Sequence, residues 1–240
     1  PAPTAPYPNY YASHLAGLRT VSEVLRAVRQ QVAQGEAEGY NWRAVLDALR
    51  PDLGRIWAAW PLAERRRFLR HLATRWGNLR HRNPPRNAAV LEELLSSGRL
   101  QVHHGRVRQI QPRGNDQLIV RLTRHYVSTE LTADHVVLCT GPQLDYAQLT
   151  DPLVVQLREA GLLVPDALHL GISTDAEGAL LDAAGHASEY LFTLGPSLRP
   201  FWYESTAVPE LRQQAASLAA LLSQRLANNV GQPGLLRLVP

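Results

Sequence analysis

The hydrophobic pattern of this chain changes its period near residue 100, so its two parts cannot share one type of secondary structure. Between residues 15 and 100 the apolar residues recur at helical spacing. One such stripe consists of Leu62, Leu69, Leu72, Trp76 and Leu79. Four prolines divide the stretch into three or four helices, at Pro51, Pro61, Pro84 and Pro85. The sequence therefore predicts a helical subdomain over residues 14–98.

After residue 100 apolar and polar residues alternate, as in "LQVHHGRVRQIQPRGNDQLIVRLTR", with a turn at "RGND". This alternation predicts a β-meander over residues 99–133. Two later runs, "DHVVLCTGP" and "YLFTLGP", are almost continuously apolar, and each ends in Gly-Pro. Such runs are typical of strands buried on both faces, as in a parallel sheet. We expect them to form two neighbouring parallel strands.

These patterns together predict a mixed fold of class α/β, with α+β character, in four segments. The segments are a proline-rich linker at 1–13, the helical subdomain at 14–98, the β-meander at 99–133 and an α/β domain at 134–240. The last segment ends in a long helix that follows "FWYESTAVPELR". A chain of 240 residues has room for one large domain or two small ones.

The charge and cysteine content narrow the choice of partners and compartment. The formal net charge is +4. The chain has no lysine, so all 25 of its Lys and Arg positions are arginine. Acidic residues nearly balance the arginines, so a nucleic-acid partner is not expected. No apolar stretch approaches the roughly 20 residues that span a bilayer, so no membrane partner is expected either. The single cysteine, Cys139, excludes an internal disulfide, which favours a cytoplasmic protein.

The two predicted strand ends and the start of the last helix form the candidate binding site. Glycine lets a ligand approach the backbone closely, and ligands of open α/β sheets bind beyond the carboxyl ends of the strands. The free N–H groups at a helix start favour a polar or anionic group. The candidate residues are Thr140, Gly141, Pro142, Gly195, Pro196, Thr206, Ala207, Val208, Pro209 and Glu210. We expect them to converge on one cleft. Trp202 or Tyr203 could form a wall for a flat ring there, and an interface role for these two residues is equally compatible with the sequence.

Several blocks of the sequence resemble one known family. They are "YNWRAVLDALRP", "RRRFLRHLATRWGNLRHRNPP", "GRLQVHHGRV", "VVLCTGPQLDY" and "YLFTLGPSLRPFWYESTAVPELRQQAASLA". From about Ala12 to Leu226 the chain resembles the C-terminal portion of the bacterial FAD/NAD(P)-binding protein family, a group of flavoprotein-like oxidoreductases. The resemblance implies the C-terminal half of a Rossmann-like FAD-binding domain, with NAD(P)H as electron donor and a small-molecule substrate. It also implies that Gly141, Gly195 and the helix start at Ala207 lie against the isoalloxazine ring.

The chain departs from the family in lacking the GxGxxG turn that holds the diphosphate of FAD. Because it also lacks methionine, we expect the Gly-rich N-terminal half to be a missing part of the same chain or a separate chain. The alternative is a scaffold module derived from the same fold that does not bind flavin and makes contacts through an arginine-rich helical face. That face comprises Arg65, Arg66, Arg67, Arg70, Arg75, Arg80 and Arg82.

Other interpretations of the candidate site also stay open. The Gly-Pro ends are equally compatible with ordinary turns, and Glu204 or Glu210 with a role limited to offsetting the helix dipole. His81 and Arg82 could reach a phosphate, although a solvated helix end is the simpler interpretation. The histidines show no metal-ligand spacing, so we expect no metal site. No residue stands out as a catalytic acid or base.

Overall fold

The computed structural model describes residues 5–80, 83–114 and 116–229. It is a mixed α and β structure with eight described α-helices and two small described sheets. The chain forms two compact units. The first comprises residues 1–80 and 143–240, and the second comprises residues 81–142, so the second unit interrupts the first in chain order.

The first unit begins with five helices whose ends coincide with capping residues and prolines. They are α1 (Val21–Ala37), α2 (Trp42–Asp47), α3 (Leu53–Ala59), α4 (Leu62–His71) and α5 (Ala73–Arg80). A reciprocal capping box starts α1, since Thr20 Oγ1 accepts from the Glu23 N–H and Glu23 accepts from the Thr20 N–H. Pro61 immediately precedes α4, and Pro51 lies in a 3₁₀ turn before α3. The predicted division of this region by prolines is confirmed at both positions.

The core of the first unit is an aromatic cluster between the helices and the loop that precedes the last helix. Trp57 lies 4.8 Å from Tyr203 and 6.1 Å from Phe68, measured between ring centroids. The Trp57 indole N–H donates to the carbonyl of Pro200 at 2.8 Å. The helical region and the C-terminal region therefore share one core, although more than 100 residues of sequence separate them.

The segment predicted as a proline-rich linker is part of this core. Tyr10 is 3% exposed, Tyr7 is also buried, and the Tyr7 hydroxyl donates to Gln31 at 3.1 Å. A π-helical turn, Tyr11–Leu15, follows and buries Leu15. The linker prediction for 1–13 is therefore wrong for the described residues from 5 onward, because the tyrosines between the prolines bury their rings. Residues 1–4 lie outside the described residues.

The remainder of the first unit comprises α7 (Pro152–Glu159), a two-stranded antiparallel sheet of β4 (Ala179–Leu181) and β5 (Ala187–Phe192), a 3₁₀ turn (Gly195–Leu198) and α8 (Val208–Asn229). The run expected as a buried parallel strand, 190–194, overlaps only the end of β5. Tyr190 is 71% exposed. The expectation of a doubly buried strand is wrong here, because β5 pairs only with β4.

The second unit contains α6 (Pro85–Ser96) and a three-stranded antiparallel sheet. Its strands are β1 (Arg106–Arg113), β2 (Gln117–Arg124) and β3 (Val127–Ala133). The β-meander predicted for this region is confirmed, with β2 in the centre and Val120 opposite both Ile110 and Leu131. The predicted strand at 135–139 is absent. Val137 and Leu138 are 80% and 74% exposed.

Both sheets are antiparallel, and the described residues form no parallel sheet. A strand covered on both faces needs neighbouring strands, and within the described part of its own unit the segment 135–139 finds none. The apolar run alone was insufficient to predict a strand. None of the described helices is both long enough and apolar enough to cross a membrane.

Candidate functional site

A cleft of about 1020 Å³ in the first unit contains residues of the predicted site. Its walls come from the turn before α3, from α3 itself, from the end of the β4–β5 hairpin, from the loop at Trp202 and from α8. Of the predicted site residues in this unit, Pro209 and Glu210 line the cleft, whereas Gly195, Pro196 and residues 206–208 are not among the residues that line it. Its volume lies at the upper end of the roughly 300–1,000 Å³ of typical ligand sites.

Trp202 forms one wall of the cleft and owes its position to a glycine. Its six-membered ring packs directly against Gly54 in α3, and a Cβ at Gly54 would collide with that ring. Phe201 packs edge-on against Trp202, with the ring centroids 5.2 Å apart. Tyr203, the other candidate ring wall, is instead buried in the aromatic cluster of the core. The structure therefore separates the two: Trp202 faces the cleft and Tyr203 anchors the loop.

Gly195 lies beside the first turns of α8, as predicted for the second strand end. Its φ of +81° favours glycine, and its N–H donates to Gln214 Oε1 at 2.8 Å. A Cβ at Gly195 would lie 3.0 Å from Leu211 Cδ2. The missing side chain thus makes room for the chain's own helix. Pro196 follows in the 3₁₀ turn Gly195–Leu198.

Helix α8 begins at Val208, one residue later than a cap at Thr206 would place it. The carbonyl of Ala207 accepts the first helical hydrogen bond, from the Leu211 N–H at 3.0 Å. Thr206 and Val208 are exposed and Ala207 is half-buried. Because Ala207 has no side-chain oxygen, it cannot cap the free N–H groups of this helix start as a serine or threonine would.

The acidic residue in the first turn of α8 is already paired. Glu210 accepts from Arg50 in a two-pronged ion pair, with N–O distances of 2.9 and 3.2 Å. A carboxylate at this position also stabilises the helix dipole. The position of Glu210 therefore suits the role considered for it, which is to offset the helix dipole, and the same residue lines the cleft.

Ser205, just before the helix, is fully buried at 0% exposure. Its hydroxyl has no hydrogen-bond partner among the described residues. Its neighbour Glu204 lines the cleft and accepts from the indole N–H of Trp76 at 2.7 Å. The buried residues on either side, Tyr203 and Ser205, fix the backbone that carries this carboxylate.

The other half of the predicted site belongs to the second unit. Thr140, Gly141 and Pro142 are exposed, Gly141 has a φ of +82°, and nothing lies within 4 Å of a Cβ built on it. Since Gly141 and Gly195 lie in different units, their convergence on one cleft stays a prediction.

The arginine-rich run of α4 is largely engaged by its own chain. Arg65 donates to the carbonyls of Trp57 and Trp60 at 3.1 and 3.0 Å. Arg66 donates to Ala167, and Arg67 lies 3.5 Å from Glu64. These contacts leave less of the run available as a contact surface. His81 and Arg82, the candidate phosphate contacts, lie outside the described residues.

Sequence reasoning missed the residues that reach the cleft from α3 and from the turn before it. Arg50 lies 160 positions before its partner Glu210, and Gly54 touches Trp202 only in the folded chain. The only sequence signal for them was "ALRPDLGRIW", where a proline and a glycine interrupt a helical pattern.

The described residues contain no group of three or more His, Cys, Asp or Glu side chains placed to hold a metal ion. Comparison with known proteins adds no relative, since no family model, no curated protein and no solved structure matches this chain.

Proposed function

We propose that this chain contributes the isoalloxazine-side half of the flavin site in a FAD-dependent, NAD(P)H-linked oxidoreductase that acts on a small molecule. The observation that carries the proposal is that Leu194, Trp202 and the start of α8 at Pro209 and Glu210 line one cleft of about 1020 Å³. The blocks that resemble the flavoprotein-like family include this same stretch, "YLFTLGPSLRPFWYESTAVPELR". On this proposal the chain is the C-terminal half of a Rossmann-like domain in a cytoplasmic enzyme.

The residues of the cleft suit the ring of a flavin. Trp202 supplies a flat aromatic wall. Neutral hydrogen-bonding side chains also line the cleft, at Thr193, Gln213, Ser217 and Gln224. The ring of a flavin carries carbonyl and N–H groups that such side chains recognise, while its apolar face stacks on an aromatic wall.

The residues of this cleft are not suited to bind the diphosphate of FAD. Four carboxylates line it, at Asp47, Glu177, Glu204 and Glu210, and they repel phosphate. Its two arginines, Arg50 and Arg55, each pair with a carboxylate. The Gly-rich turn for the diphosphate would therefore come from a further half, in the same chain or a separate one. A bound flavin would supply the two-electron chemistry, and this chain would bind and orient its ring.

Riboflavin, which has the ring without the diphosphate, tests the proposal directly. We expect saturable quenching of riboflavin fluorescence by the chain. Trp202→Ala should weaken binding about tenfold, the effect of losing roughly 1.4 kcal/mol of stacking. Tyr126→Ala, which removes a fully exposed ring from the other unit, is the matched control and should bind like the wild type.

FAD itself should bind this chain no more tightly than riboflavin, and the purified chain should carry no tightly bound FAD, because the ADP portion finds no Gly-rich turn here. Absence of saturable riboflavin binding, or equal affinity of the Trp202→Ala variant, would show that the cleft does not hold the ring.

A further inference from the structure

Three ion pairs engage charged residues of the cleft among the described residues. Arg50 pairs with Glu210 at 2.9 Å, and Arg55 pairs with Asp52 at 2.9 Å. Glu177 pairs with Arg225 at 3.0 Å. Asp47 also has a partner of its own. The remaining carboxylate is that of Glu204.

Glu204 is held by a neutral donor. Its Oε1 accepts from the Trp76 indole N–H at 2.7 Å, and among the described residues it has no arginine or histidine within ion-pair distance. A neutral donor positions a carboxylate without neutralising it. The side chain is half-buried, so water screens its charge less than on an open surface. Among the residues that the structure describes, Glu204 is therefore a carboxylate of this cleft without an ion-pair partner.

We propose that Glu204 binds the ammonium group of a primary-amine substrate, with the apolar part of that substrate against Trp202. A carboxylate that is fixed in place and lacks a cation is complementary to an ammonium group, which donates three hydrogen bonds. Trp202 adds an aromatic face, which favours both an apolar substituent and a nearby cation. The inference rests on the proposed function only in making this amine the small-molecule substrate of that oxidoreductase.

The same arrangement disfavours anionic substrates. Arg50 and Arg55 are the only cationic side chains that line the described cleft, and each is already engaged by a carboxylate. A carboxylate substrate would have to displace Glu210 or Asp52 from its arginine. It would also lie in the same cleft as Glu204, and two like charges in one cleft repel each other.

Three probes of nearly the same shape test the inference: benzylamine, benzyl alcohol and benzoate, each titrated at pH 7 and followed by saturation-transfer NMR. We expect benzylamine to bind about tenfold more tightly than benzyl alcohol, since a hydrogen bond to a charged group is worth more than one to a neutral group. Benzoate should bind most weakly. Glu204→Gln, which keeps an oxygen for the Trp76 indole, should abolish the preference for the amine.

Glu177→Gln is the matched control, because it removes a carboxylate of the same cleft that Arg225 already neutralises. It should keep the tenfold preference. If Glu204→Gln does not fold, the wild-type chain still tests the inference, because equal affinity of the wild type for benzylamine and benzyl alcohol overturns it. Tighter binding of benzoate, or a preserved amine preference in Glu204→Gln, overturns it as well.

The outcomes also separate this inference from the proposed function. A chain that binds riboflavin but does not distinguish amine from alcohol would overturn only the assignment of Glu204. A chain that prefers the amine through Glu204 but fails to bind riboflavin would overturn only the flavin site.

Discussion

At the scale of single residues, Gly54 determines where Trp202 can lie. A methyl group at this position would collide with the indole ring, which is partly exposed and can rotate away. We expect Gly54→Ala to shift Trp202 towards solvent, with a red shift of its fluorescence and weaker riboflavin binding. The change in stability should be small, because overpacking costs about 1–3 kcal/mol while the helix gains about 1 kcal/mol from alanine.

Gly77 in α5 is the matched control for Gly54, since it is also helical and nothing lies within 4 Å of a Cβ built on it. Gly77→Ala should stabilise the chain by up to about 1 kcal/mol and leave both the fluorescence and riboflavin affinity unchanged. An unshifted Trp202 spectrum in Gly54→Ala would contradict this account of the cleft wall.

Asp145 is a residue whose ionisation is linked to folding. Its burial acts to raise the pKa, but hydrogen bonds from His169, the Ala147 N–H and Gln148 outweigh burial and hold the pKa below its usual range. Because the folded pKa is lowered, the stabilisation is present above the unfolded value of about 3.9 and is lost as the pH falls through the folded pKa.

We therefore expect Asp145→Asn to be less stable than the wild type in urea at pH 7, with a difference that shrinks below about pH 4. Glu159→Gln removes an exposed carboxylate that has no hydrogen bond among the described residues, and it should leave the pH dependence unchanged. If the difference in stability between Asp145→Asn and the wild type were constant across this pH range, ionisation of Asp145 would not be the cause of the lost stability.

At the scale of elements, Arg65 connects α4 to the end of α3 and to the loop before α8. Its guanidinium donates to the carbonyls of Trp57 and Trp60, and burial, partly opposed by the charge of Asp166, lowers its pKa. Arg65→Met should therefore cost about 1–3 kcal/mol of unfolding free energy, because the partly buried carbonyls lose their donor.

Arg67→Met is the control for this prediction, because Arg67 is exposed and its one ion pair among the described residues, with Glu64, is long at 3.5 Å. Its effect should stay within about 0.5 kcal/mol, as for other exposed ion pairs. Urea unfolding of both variants measures the difference. Equal stabilities would refute a bridging role for Arg65.

The sequence predicted those elements whose signal is local. Amphipathic spacing and Pro61 located α4, and strict alternation located the meander. The site was predictable at Pro209 and Glu210 for the same reason, since proline and an acid mark a helix start. The failures concern burial. The run at 135–139 has the composition of a covered strand but is exposed, and the segment around Tyr7 has a linker's composition but is packed. Burial depends on distant partners, which a local pattern does not contain.

At the scale of the whole molecule, the two units differ in how much they bury. The core of the first unit contains fully covered side chains such as Val45, Leu49 and Trp57. In the second unit none of the described residues is buried, and every described position of β1 is exposed. Its exposed large apolar residues include Val90, Leu91, Val107, Ile110, Val127, Val137 and Leu138. Exposed apolar surface of this kind is typical of a unit that acquires further cover from a partner, which agrees with the proposed Gly-rich half.

This difference predicts how the free chain exchanges its amide hydrogens. Local opening costs little where few apolar side chains are covered, so amides of β1, β2 and β3 should exchange faster than those of α1 and α3, although both sets are hydrogen-bonded. Hydrogen exchange followed by mass spectrometry at neutral pH measures both units in one sample, and the helices of the first unit serve as the internal reference. If β2, the central strand, were as strongly protected as α1, the second unit would be stable without further cover, and the exposed apolar residues would not indicate a missing partner.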